Sequence, residues 1–191
     1  MTLRLAAALG NYDEKYRDTR HNVGFAVVRR LVEKSDLKWR TTSRYDWAEI
    51  ACGADDLIVV RPRTYMNVSG PAVLSAVRRW DFSHEQAIIV HDDMDLPLGR
   101  LRFALSAGSG GHRGVESVAE ALGSYDFPRL RVGIGRPPQG CKPHEYVLSG
   151  FAREQTEIVE KVIGLAACAL RAAASDGIAK AMNKYNGRDL T

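Results

Sequence analysis

Residues 87–99 read Ala87-Ile88-Ile89-Val90-His91-Asp92-Asp93-Met94-Asp95-Leu96-Pro97-Leu98-Gly99, and this stretch decides the fold. Its four apolar residues run into polar ones and a turn closed by Pro97 and Gly99. A short apolar run bounded by turn residues reads as a buried strand, and ligands of open α/β sheets sit where such strands end. Asp92 is therefore the first candidate site residue. Beside it stands the plainer reading of Asp92, Asp93 and Asp95 as a solvated acidic turn.

Outward from this strand, residues 3–9 form a first apolar run that stops at Gly10-Asn11. A polar loop leads to His21, and Asn22 caps a helix whose Val23, Val27, Val28, Leu31 and Val32 share a face. Residues 44–50 and 56–60 make a hairpin about Cys52-Gly53-Ala54. Pro62 ends it, and Met66 and Asn67 occupy the junction to a helix over 71–80, with Pro71 at its first position. Residues 99–105 alternate, with Leu101, Phe103 and Leu105 inward and Arg100 and Arg102 outward. The glycine-rich residues 106–114 carry His112 and Arg113 and open a helix over 115–122, an arrangement that favours an anion. A last strand spans 130–135, followed by a loop over 136–146. A long amphipathic helix covers 152–173 and, after Asp176-Gly177, a short one covers 178–185. The class is α/β: one domain over 1–191, a mixed central sheet sandwiched between helices, and a long C-terminal helix.

Composition excludes several classes. Three cysteines far apart (Cys52, Cys141, Cys168) make neither a disulfide framework nor a metal pair. No apolar run approaches the ~18 residues of a membrane span, so no membrane partner and a cytoplasmic location are expected. A net charge of +4 suits a polyanionic partner without requiring one.

The strand ends bring Asn11, Asn67 and Asp92 forward, with His21 a short loop away. A histidine oriented by a carboxylate is a general base, and two amides can hold a carbonyl and the oxyanion formed on attack. Hydrolysis of an acyl bond fits this set. No Gly-x-Ser-x-Gly elbow is present, which leaves water as the nucleophile. His21, His84, His91, His112 and His144 lack metal-ligand spacing, so no metal and no cofactor are expected; His91 reads as a packed histidine.

Five motifs in order carry a resemblance: Asn11 with Thr19-Arg20-His21-Asn22-Val23-Gly24; Thr64-Tyr65-Met66-Asn67-Val68-Ser69-Gly70; Val90-His91-Asp92-Asp93-Met94-Asp95-Leu96-Pro97; residues 108–114; and Leu130-Arg131-Val132-Gly133-Ile134-Gly135. Together they resemble bacterial-type peptidyl-tRNA hydrolase over nearly the whole chain. The resemblance implies a monomeric esterase that cleaves the bond between a peptide and the 3′ ribose of its tRNA. On it, His21 is the catalytic base and Asp92 its orienting carboxylate. Asn11, Tyr16, Tyr65, Met66, Asn67 and Arg113 bind substrate, and Arg102 and Arg131 meet tRNA phosphate.

Three positions depart from the family's pattern. Asn11-Tyr12-Asp13 stands where the family has Asn-Pro-Gly, Arg113 replaces an asparagine, and Ala104 replaces a lysine of the phosphate clamp. One account covers the last two: Arg113 supplies the charge that Ala104 does not. Two other functions compete with the hydrolase. One is a catalytically weakened RNA-binding module of the same fold, and the other an esterase or amidase of small acyl substrates. The basic residues Arg100, Arg102, Arg113, Arg129, Arg131 and Lys142 argue against the second.

Overall fold

The computed structural model describes residues 2–188 and 190; Met1, Asp189 and Thr191, at the ends of the expected domain, lie outside the described residues. The strands are β1 (Leu5–Ala8), β2 (Arg40–Thr41), β3 (Tyr45–Cys52), β4 (Asp55–Pro62), β5 (Ala87–Asp93), β6 (Leu101–Ala104) and β7 (Arg129–Gly133). They form one mixed sheet in the order β2-β3-β4-β1-β5-β7-β6. The inner strands β4, β1, β5 and β7 are parallel. The β2–β3, β3–β4 and β6–β7 pairs are antiparallel.

The helices are α1 (Val23–Lys34), α2 (Gly70–Arg79), α3 (Arg113–Leu122), α4 (Pro143–Val147), α5 (Thr156–Ser175) and α6 (Ile178–Tyr185). Strand alternation splits the core into two layers. Ala6, Ala8, Val59, Ile88 and Val90 bury against α1 and α5, while Leu5, Ala7, Ile58, Val60 and Ile89 bury against α2 and α3. Covered on both faces, the inner strands read as continuous apolar runs rather than alternating ones. This is the helix–sheet–helix sandwich expected from the sequence, with the long helix α5 near the C-terminus.

The chain leaves β1 for β4 on one side and returns past it to β5 on the other. Such a reversal opens a crevice at the carboxyl ends of the strands. Gly24 lets α1 approach that crevice: a Cβ there would stand 2.6 Å from the Val90 carbonyl oxygen and 2.8 Å from that of Leu9. Any side chain would push α1, and His21 ahead of it, away from β5.

Four local readings change. Leu105 is 49% exposed rather than buried, because the pairing of β6 ends at Ala104 opposite Arg129. Helix α3 starts at Arg113, two residues early, since His112 caps it by accepting a hydrogen bond from the Val115 N–H. The loop expected over 136–146 contains most of α4, started by Pro143 at a first-turn position. The edge strand β2, two residues long, is too short to carry a periodic signal.

Candidate active site

Helix α1 and strand β5 bring His21 and Asp92 together. The His21 Nδ1 lies 2.8 Å from Asp92 Oδ1 and 3.0 Å from Oδ2. Asp92 also receives His112, whose Nε2 is 2.9 Å from Oδ1. The Asp92 carboxylate is buried, which by itself would favour its neutral form; electrostatic attraction to His112 and then His21, with their hydrogen bonds, outweighs burial and holds it well below the usual carboxylate range. It is therefore an acceptor only, and it fixes the proton of each imidazole. His21 carries its proton on Nδ1, which leaves the Nε2 lone pair for the cleft that His21 lines. His112 carries its proton on Nε2, consistent with its Nδ1 accepting from the Val115 N–H at 3.3 Å.

His91 is packed, as its sequence context indicates. Its Nδ1 donates to the Asp92 carbonyl oxygen at 2.7 Å. Burial and then His112 push its pKa down to about 3, so it remains neutral beside the site.

Asn11 and Met66 meet across the ends of β1 and β4. The Met66 N–H donates to Asn11 Oδ1 at 2.9 Å, which turns the Asn11 amide NH₂ toward the cleft as a donor. Asn22 holds this loop from below. Its Oδ1 accepts from the Asn11 N–H at 2.8 Å, and its Nδ2 donates to the Asn11 carbonyl at 2.9 Å. Asn22 does stand at the N-cap position of α1, but its side chain makes no capping bond. The capping assignment is thus corrected: the buried amide holds the Asn11 loop instead.

Tyr12 and Asp13 supply the rigidity that Pro-Gly would give. The Tyr12 ring lies 5.7 Å from the Arg61 guanidinium and 5.0 Å from that of Arg63, and its hydroxyl donates to Asp46 at 3.2 Å. Asp13 accepts a hydrogen bond from the Tyr65 hydroxyl at 3.0 Å, tying the β1 loop to the β4 loop.

These groups line a cleft of about 700 Å³ with Tyr16, Tyr65, Met66, Asn67, Arg113, Arg131 and the segment holding Val147 and Leu148. Every expected site residue except Arg102 lies on it. Arg102 is exposed on β6 directly opposite Arg131 of β7, and Ala104 is opposite Arg129. Arg131 is ion-paired with Asp93. Arg113 is exposed at the first position of α3 and has no side-chain partner among the described residues.

Arg129 must be removed from the basic residues offered to RNA. It is buried, and its guanidinium donates to the carbonyls of Ala107 and Gly108, each at 2.6 Å, anchoring the glycine-rich loop. Arg20 does the same for the opposite wall. It donates to Ser149 Oγ at 2.6 Å and to the Gly150 carbonyl, between the rings of Tyr146 and Phe151.

His112, Asn22, Arg20 and Arg129 escaped the sequence reading as site-building residues. Only His112 left a signal, as a histidine in a glycine-rich loop at a helix start. His21, Asp92 and His112 also form the one set among the described residues whose donor atoms, all within 4.8 Å, could hold a metal. The tautomers oppose this use: ligation through His112 Nε2 would turn its Nδ1 into a donor facing the Val115 N–H. The cluster is arranged for hydrogen bonding and proton transfer.

A family profile described as peptidyl-tRNA hydrolase matches residues 5–191. The chain is 39% identical to the peptidyl-tRNA hydrolase of Clostridium botulinum (strain 657 / Type Ba4) over 184 residues, 96% of each chain. It is 38% identical to that of Fervidobacterium nodosum over 187 residues, 98% of each. Among solved structures, Acinetobacter baumannii peptidyl-tRNA hydrolase superposes with a TM-score of 0.91 at 27% identity, covering 98% of this chain and 96% of that one. A peptidyl-tRNA hydrolase in complex with N-propanol gives 0.92 at 27% identity, covering 99% and 97%.

Proposed function

The chain belongs to the peptidyl-tRNA hydrolase family, and on that premise we propose how its residues release a peptide from peptidyl-tRNA. The enzyme is an ester hydrolase, and its substrate is peptidyl-tRNA. His21 acts as the general base: its Nε2 takes a proton from a water held at the mouth of the cleft. That water attacks the carbonyl carbon joining the peptide to the 3′ ribose. Asp92 holds the imidazole in the required tautomer and stabilises the imidazolium as it forms. The single observation that carries this reading is the 2.8 Å contact between His21 Nδ1 and an Asp92 carboxylate that stays ionised.

The amide NH₂ of Asn11, oriented by the Met66 N–H, and the side chain of Asn67 donate to the substrate carbonyl and to the oxyanion that develops there. The proton on His21 then passes to the departing ribose oxygen. His112 keeps Asp92 in place from its other side. Tyr16, Tyr65 and Met66 receive the peptide, whereas Arg102, Arg113 and Arg131 face the RNA. One chain carries every group this scheme uses, which supports a monomer, and translation substrates favour a cytoplasmic enzyme. The weakened RNA-binding module is not favoured, because the relatives are hydrolases and the His21–Asp92 pair is intact.

The test is release of N-acetyl-amino acid from N-acetyl-aminoacyl-tRNA by the wild type and by Asn67→Ala. The expected loss in kcat is about 10²-fold or more for a missing oxyanion donor. Unchanged kcat in Asn67→Ala would remove that residue from the scheme.

A further inference from the structure

We infer that the β2–β4 flank of the cleft is a second RNA-contact surface that grips the phosphate backbone of the substrate's own tRNA. The inference rests on the reading of peptidyl-tRNA as substrate. Its basis is an arginine cluster that the catalytic scheme does not use.

Arg40, Arg44 and Arg63 are exposed, and none pairs with a carboxylate among the described residues. The acid within the cluster, Asp46, is taken by Arg61, whose Nη2 and Nε lie 2.9 and 3.0 Å from Oδ2. Aromatic rings hold Arg40, Arg61 and Arg63 in place. The Arg40 guanidinium lies 4.7 Å from the Trp47 ring, and that of Arg61 lies 4.9 Å from Trp39. Arg63 is anchored twice, 5.0 Å from the Tyr12 ring and 3.2 Å from the Thr42 carbonyl. Stems ordered on aromatic faces lose less entropy when their heads bind phosphate.

Charge is also segregated along the hairpin. The cations gather where Tyr45 faces Pro62, while Asp55 and Asp56 lie at the opposite end, where Cys52 faces Asp55. Guarding an edge strand takes a charge on that strand; it does not call for Arg44 and Arg63 outside β2. The cluster adjoins the cleft, because Tyr12 follows Asn11 and Arg63 begins the segment leading to Met66.

The end of β4 stands three strand spacings from β7, roughly 14 Å. Cations on β2, in the β2–β3 turn and just past β4, together with those on β6–β7, thus flank the cleft from both sides. An RNA end seated over it meets positive charge in both directions, a sequence-independent grip of the kind that phosphate contacts provide.

The experiment compares wild type with the double variant Arg40→Gln, Arg44→Gln on two substrates, leaving Arg63 in its place against Tyr12. One is full-length N-acetyl-aminoacyl-tRNA; the other is the same acyl group on the 3′-terminal trinucleotide alone. The surface predicts a several-fold rise in KM for the full-length substrate with kcat kept, and unchanged kcat/KM on the trinucleotide. The slope of log affinity for deacylated tRNA against log salt should fall by about two units for two lost contacts. The corresponding double change to lysine should restore both. Equal behaviour of wild type and variant on full-length substrate and in salt slope would overturn the inference, and so would parallel losses on both substrates. Should wild type cleave neither substrate, the hydrolase reading fails, and the salt slope with deacylated tRNA still decides the surface.

Discussion

Replacing Asn22 with alanine removes the two hydrogen bonds that hold the Asn11 backbone, at 2.8 and 2.9 Å, in a site where Asn22 is 2% and Asn11 6% exposed. Water has little access to the N–H and C=O left behind. Each buried group without a partner costs about 1–3 kcal/mol, and partial relaxation toward the cleft recovers some of this, leaving roughly 3 kcal/mol for the pair. For a chain of this length that lowers Tm by roughly 6–12 °C. Calorimetry at fixed pH measures it. The same change frees the loop that aims the Asn11 amide, so kcat/KM should fall well below the wild-type value at temperatures where both proteins are fully folded. Asn22→Asp sharpens the test: one acceptor is kept, but the second carboxylate oxygen faces the Asn11 carbonyl, and the loss should be at least as large as for alanine. If Asn22→Ala melts within a degree of wild type and keeps its kcat/KM, the loop is not held this way. A residue that merely capped α1 would cost only about 1 kcal/mol and leave catalysis alone.

Asp92→Asn should lower kcat by roughly 10²–10⁴-fold with little change in KM, because the amide no longer fixes the His21 tautomer; steady-state kinetics on N-acetyl-aminoacyl-tRNA reads it. Arg113→Asn should reduce the slope of log tRNA affinity against log salt by about one unit if Arg113 meets a phosphate. An unchanged slope would leave Arg113 without that role. Acid stability provides a further check. The unfolded chain protonates His91 near 6.5, whereas the folded chain resists until about 3, so the unfolded state holds more protons between those values. Stability should therefore begin to fall as pH drops below about 6.5, by up to roughly 1.4 kcal/mol per unit for this one group. Asp92, held below its ordinary value, adds to the loss only below about 4. His91→Asn, which keeps a donor for the Asp92 carbonyl, should flatten the upper part of that curve in denaturant titrations.

The architecture was legible because its signals are periodic. The buried run of β5 and the helical spacing of Ile158, Val159, Val162 and Ile163 in α5 reflect the two faces of a covered sheet. His21, Asp92, Asn11 and Asn67 were legible because strand ends concentrate ligand-facing polar groups. What stayed hidden depends on partners distant in sequence. An arginine reads the same whether it offers its charge to RNA or, like Arg129, spends its Nη1 and Nη2 donors on a loop's carbonyls. Asn22 fits a capping consensus, yet its bonds go to Asn11 in a loop eleven residues away. The change from Pro-Gly to Tyr12-Asp13 leaves a loop that looks loose in sequence; only the fold brings Arg61, Arg63 and Tyr65 up to hold it.

The most direct test of the central claim is single-turnover release of N-acetyl-amino acid from N-acetyl-aminoacyl-tRNA, wild type against His21→Ala, with tRNA affinity measured on both. The proposed mechanism predicts that His21→Ala binds tRNA as wild type does and loses cleavage by at least about 10²-fold. Cleavage by His21→Ala at the wild-type rate would contradict it, since no imidazole would then be needed to activate the water.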